Sequence, residues 1–247
     1  MSKQNVVANV SFNAVSRMAK ARCNKQGGFT LLELAVVLVV IGMIVGAATI
    51  GKDVQRNAVY QRISSDFVQG WLVAYDSYVN GTGIVPGDSA TAPTGKVNQG
   101  NAALCGIALL GVMQAAGVAV PSGRAEGSGN LYSYLDSNGV PHELQVCFSS
   151  VIWTEPGAAV GTYVQRTRNV IDMRGLTPVL ANFLDNTIDG HADAAFGVFR
   201  EQSRAGLAAP TSIAWSVDET MAYGSTTSTA KDTNQVAEVL AYIKMSK

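Results

Sequence analysis

Residues Phe29 to Gly51 read FTLLELAVVLVVIGMIVGAATIG, 23 residues with a single ionisable side chain, Glu33. No other feature constrains the chain as much. As a helix rising 1.5 Å per residue the run is about 34 Å long, enough for a hydrocarbon core of roughly 30 Å. Thirteen of the 23 residues are Leu, Ile, Val or Phe. They favour insertion by roughly 4 to 8 kcal/mol, against about 2.5 to 3.5 kcal/mol for one central acid. Insertion is therefore expected, and Glu33, near the start of the run, costs less than a central acid would. A transmembrane helix is the first expectation, over residues 29–51.

Charge on either side orients it. Residues 1–28 hold Lys3, Arg17, Lys20, Arg22 and Lys25 and no acid, whereas Lys52, Asp53 and Arg56 after the run are mixed. The positive-inside rule places the N-terminus in the cytoplasm and the bulk of the chain outside. Two plain readings compete. A cleavable secretory signal has a shorter apolar core, and a simple anchor leaves Glu33 without a purpose. An ionisable group inside a membrane segment is by default a functional one. Of 18 bases and 18 acids, the first 28 residues take five bases, leaving 13 against 18, or about −5, on residues 29–247. That sign argues against a surface built to attract nucleic acid, so a nucleic-acid partner is unsupported.

The stretch Lys25-Gln26-Gly27-Gly28-Phe29-Thr30-Leu31-Leu32-Glu33-Leu34 resembles the class III signal of type IV prepilins and type II secretion pseudopilins. Its elements are a basic leader ending in Gly, an aromatic first mature residue, an apolar run, and a glutamate as the fifth mature residue. The resemblance implies that residues 1–28 are a leader and that prepilin peptidase cuts between Gly28 and Phe29. It implies that Phe29 carries the new, N-methylated amine and that Glu33 pairs with the amine of a neighbouring subunit. It also implies other pilin subunits, in a homo- or hetero-polymer, and an inner-membrane assembly platform as partners. The precursor would sit in the inner membrane with its head in the periplasm, then join a surface pilus or a periplasmic pseudopilus. The physics agrees with the role of Glu33: a carboxylate in an apolar filament core is costly alone and tolerable opposite an ammonium. The segments Ile63–Asp88 and Asp185–Gly190 followed by Gly197 resemble a group of prepilin-like proteins with an aromatic-rich helix and an acidic segment.

The expected fold is α+β and pilin-like: a long N-terminal hydrophobic helix packed on a small antiparallel sheet, with additional short helices. The expected domains are a leader (1–28), a membrane and filament-core helix (29–51), its amphipathic continuation (52–80) and a globular head (81–247). Val54, Ala58, Ile63, Phe67, Trp71, Tyr75 and Tyr78 recur mostly at helical spacings, so one helix is expected from about Phe29 to Asn80, ending at Gly81. Gly42, Gly46 and Gly51 fit either close helix packing or local melting during assembly. An Ala-rich helix holding Cys105 is expected over Asn101–Gly117. Strands are expected at Leu131–Leu135 and Glu143–Trp153, joined by the turn Asp136-Ser137-Asn138-Gly139. Further strands are expected at Tyr163–Thr167, Phe196–Phe199 and Ser212–Val217, with Gly224–Lys231 a flexible stretch. Thr177-Pro178 starts a helix to about Asp185. Thr233–Met245 reads as a terminal amphipathic helix, with Val236, Leu240 and Ile243 on one face.

Little in the chain points to catalysis. His142 and His191 are the only histidines, without zinc-site spacing, and are expected at the surface. Neither a Gly-x-Ser-x-Gly elbow nor a Walker-type glycine loop is present. No enzyme activity and no cofactor are expected. Asp185, Asp189 and Asp193 are weak calcium candidates, which capping and turn roles explain as well. In an exported head Cys105 and Cys147 are expected to form a disulfide; the alternative is two buried thiols. Two readings stand beside a pilus subunit: a type II secretion pseudopilin, and a minor or tip pilin whose head binds DNA or a surface.

Overall fold

The computed structural model describes residues 29–124, 129–216 and 236–246, with the side chains of residues 48–50 and 52–53 outside the description. The chain divides into two units, Met1–Ile50 and Gly51–Lys247. The described part of the first unit is helical from Leu31, in the opening turns of α1 (Leu31–Arg62). Every side chain from Phe29 to Ala47 is exposed.

In the second unit α1 passes into a π-helical turn, Ile63–Val68, and then α2, Gln69–Thr82. Tyr60, Ile63, Phe67, Trp71, Tyr75 and Tyr78 are all buried. A spacing of four overshoots the 3.6-residue turn by about 40°, so three such steps in a row would carry the stripe round the helix. The wider π turn, with its i→i+5 bonds, absorbs part of that drift. Gly83 ends the helix in the left-handed conformation (φ 77°), its N–H bonded to the Val79 carbonyl at 2.9 Å. The end lies two residues past the expected Asn80, because Gly81 stays helical and Gly83 supplies the cap.

Among the described residues six antiparallel strands form one sheet. They are β1 (Leu104–Cys105), β2 (Leu131–Leu135), β3 (Pro141–Pro156), β4 (Tyr163–Leu176), β5 (Phe199–Glu201) and β6 (Val239–Lys244). The order is β1-β3-β4-β6-β5, with β2 also paired to β3. The β2–β3 turn is held by Asp136, whose Oδ1 accepts from the N–H groups of Asn138 and Val140 at 2.8 Å each. One sheet face carries Leu144, Val146, Phe148, Ile171, Met173 and Ile243 into the core shared with α2. Trp71 and Tyr75 meet Phe148 edge-on at 5.7 and 5.2 Å. A small cluster of Trp153, Val170, Ala205 and Tyr242 is separate from that core.

Shorter helices complete the head: α3 (Gly106–Ala115), α4 (Pro178–Asp189) and α5 (Gln202–Ala205). Thr177 caps α4 by accepting from the Leu180 N–H at 3.3 Å, with Pro178 in the first turn. α4 runs past the expected Asp185 to Asp189, where Gly190 (φ 74°) closes it.

Several expectations are corrected. Val239–Lys244 is a strand, not part of a terminal helix, because it lies between β4 and β5 and both neighbours need its backbone. Cys105 closes β1 and precedes α3 instead of lying inside a helix. β4 is far longer than Tyr163–Thr167, and β5 begins at Phe199 instead of ending there. Within Ser212–Ser216 only Trp215 has a strand-like bridge. The stretch Gly224–Lys231 and the leader lie outside the described residues.

Candidate processing and assembly site

Gly28 lies outside the described residues; Phe29, Thr30 and Glu33 lie inside them. Thr30 and Glu33 stand three apart at the start of α1 and bond reciprocally. Glu33 Oε2 accepts from the Thr30 N–H at 2.8 Å and from its hydroxyl at 3.0 Å, and the Glu33 N–H donates to Thr30 Oγ1 at 3.2 Å. This is a capping box, in which two helix-start donors that lack intrahelical partners are satisfied by side chains. The pattern Thr-x-x-Glu ahead of an apolar run is legible in sequence, and it adds Thr30 to Glu33 as a residue of this site.

The box shapes what Glu33 can do next. Both Thr30 bonds use Oε2, so Oε1 is the oxygen open to an incoming donor. A carboxylate has room for about four acceptor contacts, so a second partner can be added without breaking the cap. The helix dipole also favours an anion in the first turn. The surrounding side chains offer no competing polar group: Leu31, Leu32, Leu34, Val36 and Val37 are all exposed and apolar.

Residues 23–49 match the family described as the prokaryotic N-terminal methylation motif. The chain carries the type IV pilin and pseudopilin signal. The matched range takes in Gly28, Phe29 and Glu33. The pilin signal implies a membrane-anchored precursor, processing by prepilin peptidase and assembly with other pilin subunits into a surface or periplasmic filament. It points to a structural subunit and not an enzyme. No curated protein and no solved structure matches the chain. Among the described residues no helix is long and apolar enough to cross a membrane. Side chains are described without a break only from residue 29 to 47, which stops short of the expected span's end at 51.

The head's candidate residues are tied into its fold. Cys105 and Cys147 face each other across β1 and β3 at a Cα separation of 4.5 Å and are joined by a disulfide. Asp185, Asp189 and Asp193 fold the segment after α4 back onto it. Asp185 Oδ2 accepts from the Asp193 N–H at 2.8 Å and the Trp215 indole N–H at 2.6 Å. Asp189 Oδ2 accepts from the N–H groups of Val198 and Phe199 at 2.9 and 3.0 Å. Asp193 takes the N–H of Ala195 at 2.8 Å and the Ser212 hydroxyl. Among the described residues no group of three or more His, Cys, Asp or Glu is arranged to hold a metal ion. His191 is exposed, but His142 is not the surface residue expected. Its ring lies between Asp136 at 3.0 Å and Glu238 at 3.3 Å and packs on Tyr134 at 5.8 Å. Glu238, 96 residues away, is a partner that no local reading of the sequence supplies.

Proposed function

We propose that the chain is a prepilin-like structural subunit that polymerises through its N-terminal helix. The observation that carries this reading is the exposed apolar helix with Glu33 as its first-turn acid, inside the matched methylation motif. Residues 29–51 hold the precursor in the inner membrane with the head in the periplasm. Prepilin peptidase cuts the Gly28–Phe29 bond and the Phe29 amine is methylated. Cleavage matters physically because it creates an ammonium at the end of an apolar helix. Glu33 of a neighbouring subunit then accepts from that ammonium through Oε1, while Oε2 keeps its Thr30 cap. In the water-poor core of a filament the paired charges cost much less than either alone, so the pair selects one axial register. The head folds as its own unit around the sheet and is displayed outward by the polymer.

The test is a pair of substitutions in the native host. Gly28→Ala should leave subunits at precursor mass, and Glu33→Ala should leave them cut but unassembled, with the head folded in both. Filaments built from uncut subunits, or normal filaments from Glu33→Ala, would overturn the reading. Electron microscopy with mass spectrometry of purified fibres separates a surface pilus from a periplasmic pseudopilus, since only a pilus yields abundant shed subunits beginning at methylated Phe29.

A further inference from the structure

The β3–β4 turn and the segment leading into β5 line a half-open cavity of about 430 Å³ with a buried guanidinium in its wall. Arg200, on β5, is only 6% exposed. Its Nε donates to the Gly197 carbonyl at 2.9 Å and its Nη1 to the Thr154 carbonyl at 2.8 Å. The guanidinium carbon lies 4.4 Å from the centre of the Trp153 ring. Among the described residues no carboxylate forms an ion pair with it. Glu155, on β3, is already held by Arg168 at 2.7 Å and Lys244 at 3.4 Å.

A buried cation whose direct contacts are neutral carbonyls and an aromatic face is costly, and an anion in direct contact would offset more of that cost than distant carboxylates do. Burial also pulls the guanidinium's pKa down, and the negative charges of Asp189, Glu155 and Asp193 oppose that in part, each from beyond ion-pair distance. Two of its five N–H donors are used by the carbonyls, leaving donors for a planar carboxylate. The rest of the cavity sets the ligand's shape. Tyr163 and Phe196 line it with ring centres 6.3 Å apart, and Pro156 and Pro210 add further apolar surface. The turn is tightly made, with the Gly157 N–H bonded to the Thr162 carbonyl at 2.8 Å and the Thr162 hydroxyl to the Ala159 carbonyl at 2.6 Å. The volume suits one or two rings and not a folded partner.

We propose that this cavity binds an acidic sugar residue, with Arg200 on its carboxylate and Tyr163 and Phe196 against the ring. Subunits of a filament would then carry an acidic-glycan site on every head. The site needs no polymer, so it stands whether or not the assembly reading holds.

The experiment is titration of the full-length chain in detergent micelles, followed by NMR, with glucuronate and N-acetylneuraminate. Glucose, acetate and inorganic phosphate are the comparison ligands. Saturable binding is expected for at least one acidic sugar, roughly tenfold tighter than for glucose and acetate, reflecting the charge and the ring together. Arg200→Lys should weaken it about tenfold, because the fork that grips a carboxylate is lost while the charge remains. Tyr163→Ala, on the exposed hairpin, should weaken it several-fold with the fold intact. Equal affinity for acetate would remove the ring from the site, and equal or tighter binding of phosphate would make it a phosphate site; either overturns the proposal. So would binding unchanged in Tyr163→Ala, or no saturation by either acidic sugar.

Discussion

At Asp185 a carboxylate is fully buried, bonded through Oδ2 to Trp215 and Asp193, with Oδ1 lacking a partner. Burial dominates its titration, opposed by the Trp215 and Asp193 bonds and reinforced by Asp189 one turn along α4; the carboxyl is pushed up to about 7. The folded chain therefore holds a proton that the unfolded chain has lost anywhere between the ordinary carboxylate value and about 7. Stability should fall as pH rises across that window and level off above it. Asp185→Asn keeps an acceptor for both bonds and adds a donor for the Asp189 side. It should stabilise the chain by roughly 1 to 3 kcal/mol near pH 8, with the gain shrinking to almost nothing near pH 4. Urea unfolding of both proteins across that range checks this, and parallel pH profiles would refute it. The three aspartates show what residue types alone can suggest. Their residue type suggests calcium; their actual partners are backbone N–H groups, the Trp215 indole and the Ser212 hydroxyl of a segment whose return path is a tertiary fact. Glu33 was legible because a lone acid in an apolar run has no local excuse, whereas Arg200 was not, since its meaning comes from Thr154, 46 residues away.

Among the elements, β4 and its bulge are the most exacting. Gly175 has φ 79°, and a Cβ there would lie 2.1 Å from the Glu143 carbonyl oxygen, where the β4–β6 register shifts. The obstacle is backbone, which cannot swing aside, so Gly175→Ala should cost more than about 2 kcal/mol. A melting temperature within a degree or two of wild type would show that the bulge relaxes. The disulfide ties α3's start to β3 across a separation of 42 residues. Replacing both cysteines by serine should cost about 4 kcal/mol on chain entropy, read as a lower urea midpoint that reductant reproduces in the wild type. Elements marked by local chemistry were legible: the Thr177-Pro178 helix start, the Asp136 turn and strand β2. β6 was not. Its run Val-Leu-Ala-Tyr-Ile is too short to separate a period of two from one of 3.6, and its state is decided by β4 and β5 on either side. The π turn was equally hidden, because an aromatic every fourth residue reads as ordinary helix until the accumulated rotation is followed.

Across the whole molecule, the chain divides at Ile50 and Gly51, and the proposed function assigns assembly to the first unit and the folded core to the second. Among the described residues the buried core begins at Tyr60, and the apolar side chains before Ala47 are exposed. Stability and assembly should therefore be separable by mutation. Exposed positions usually change stability by no more than about 0.5 kcal/mol, so Glu33→Ala should leave the head's unfolding unchanged. Replacing residues 29–51 with an unrelated membrane span should do the same and keep the precursor anchored. Both variants should nevertheless abolish filaments, the first by removing the acceptor for a neighbour's ammonium, the second by removing the whole packing surface. Thr30→Ala sits between them: it removes the cap that holds Oε2 but leaves the charge. It should cost the helix start about 1 kcal/mol and reduce filament yield without ending assembly. Quantified fibres from the three variants, beside unfolding curves of the same proteins, give a graded order of wild type, Thr30→Ala, then Glu33→Ala and the swapped span. If filaments survive the swapped span, subunits are joined through their heads, and the exposed helix is an anchor alone.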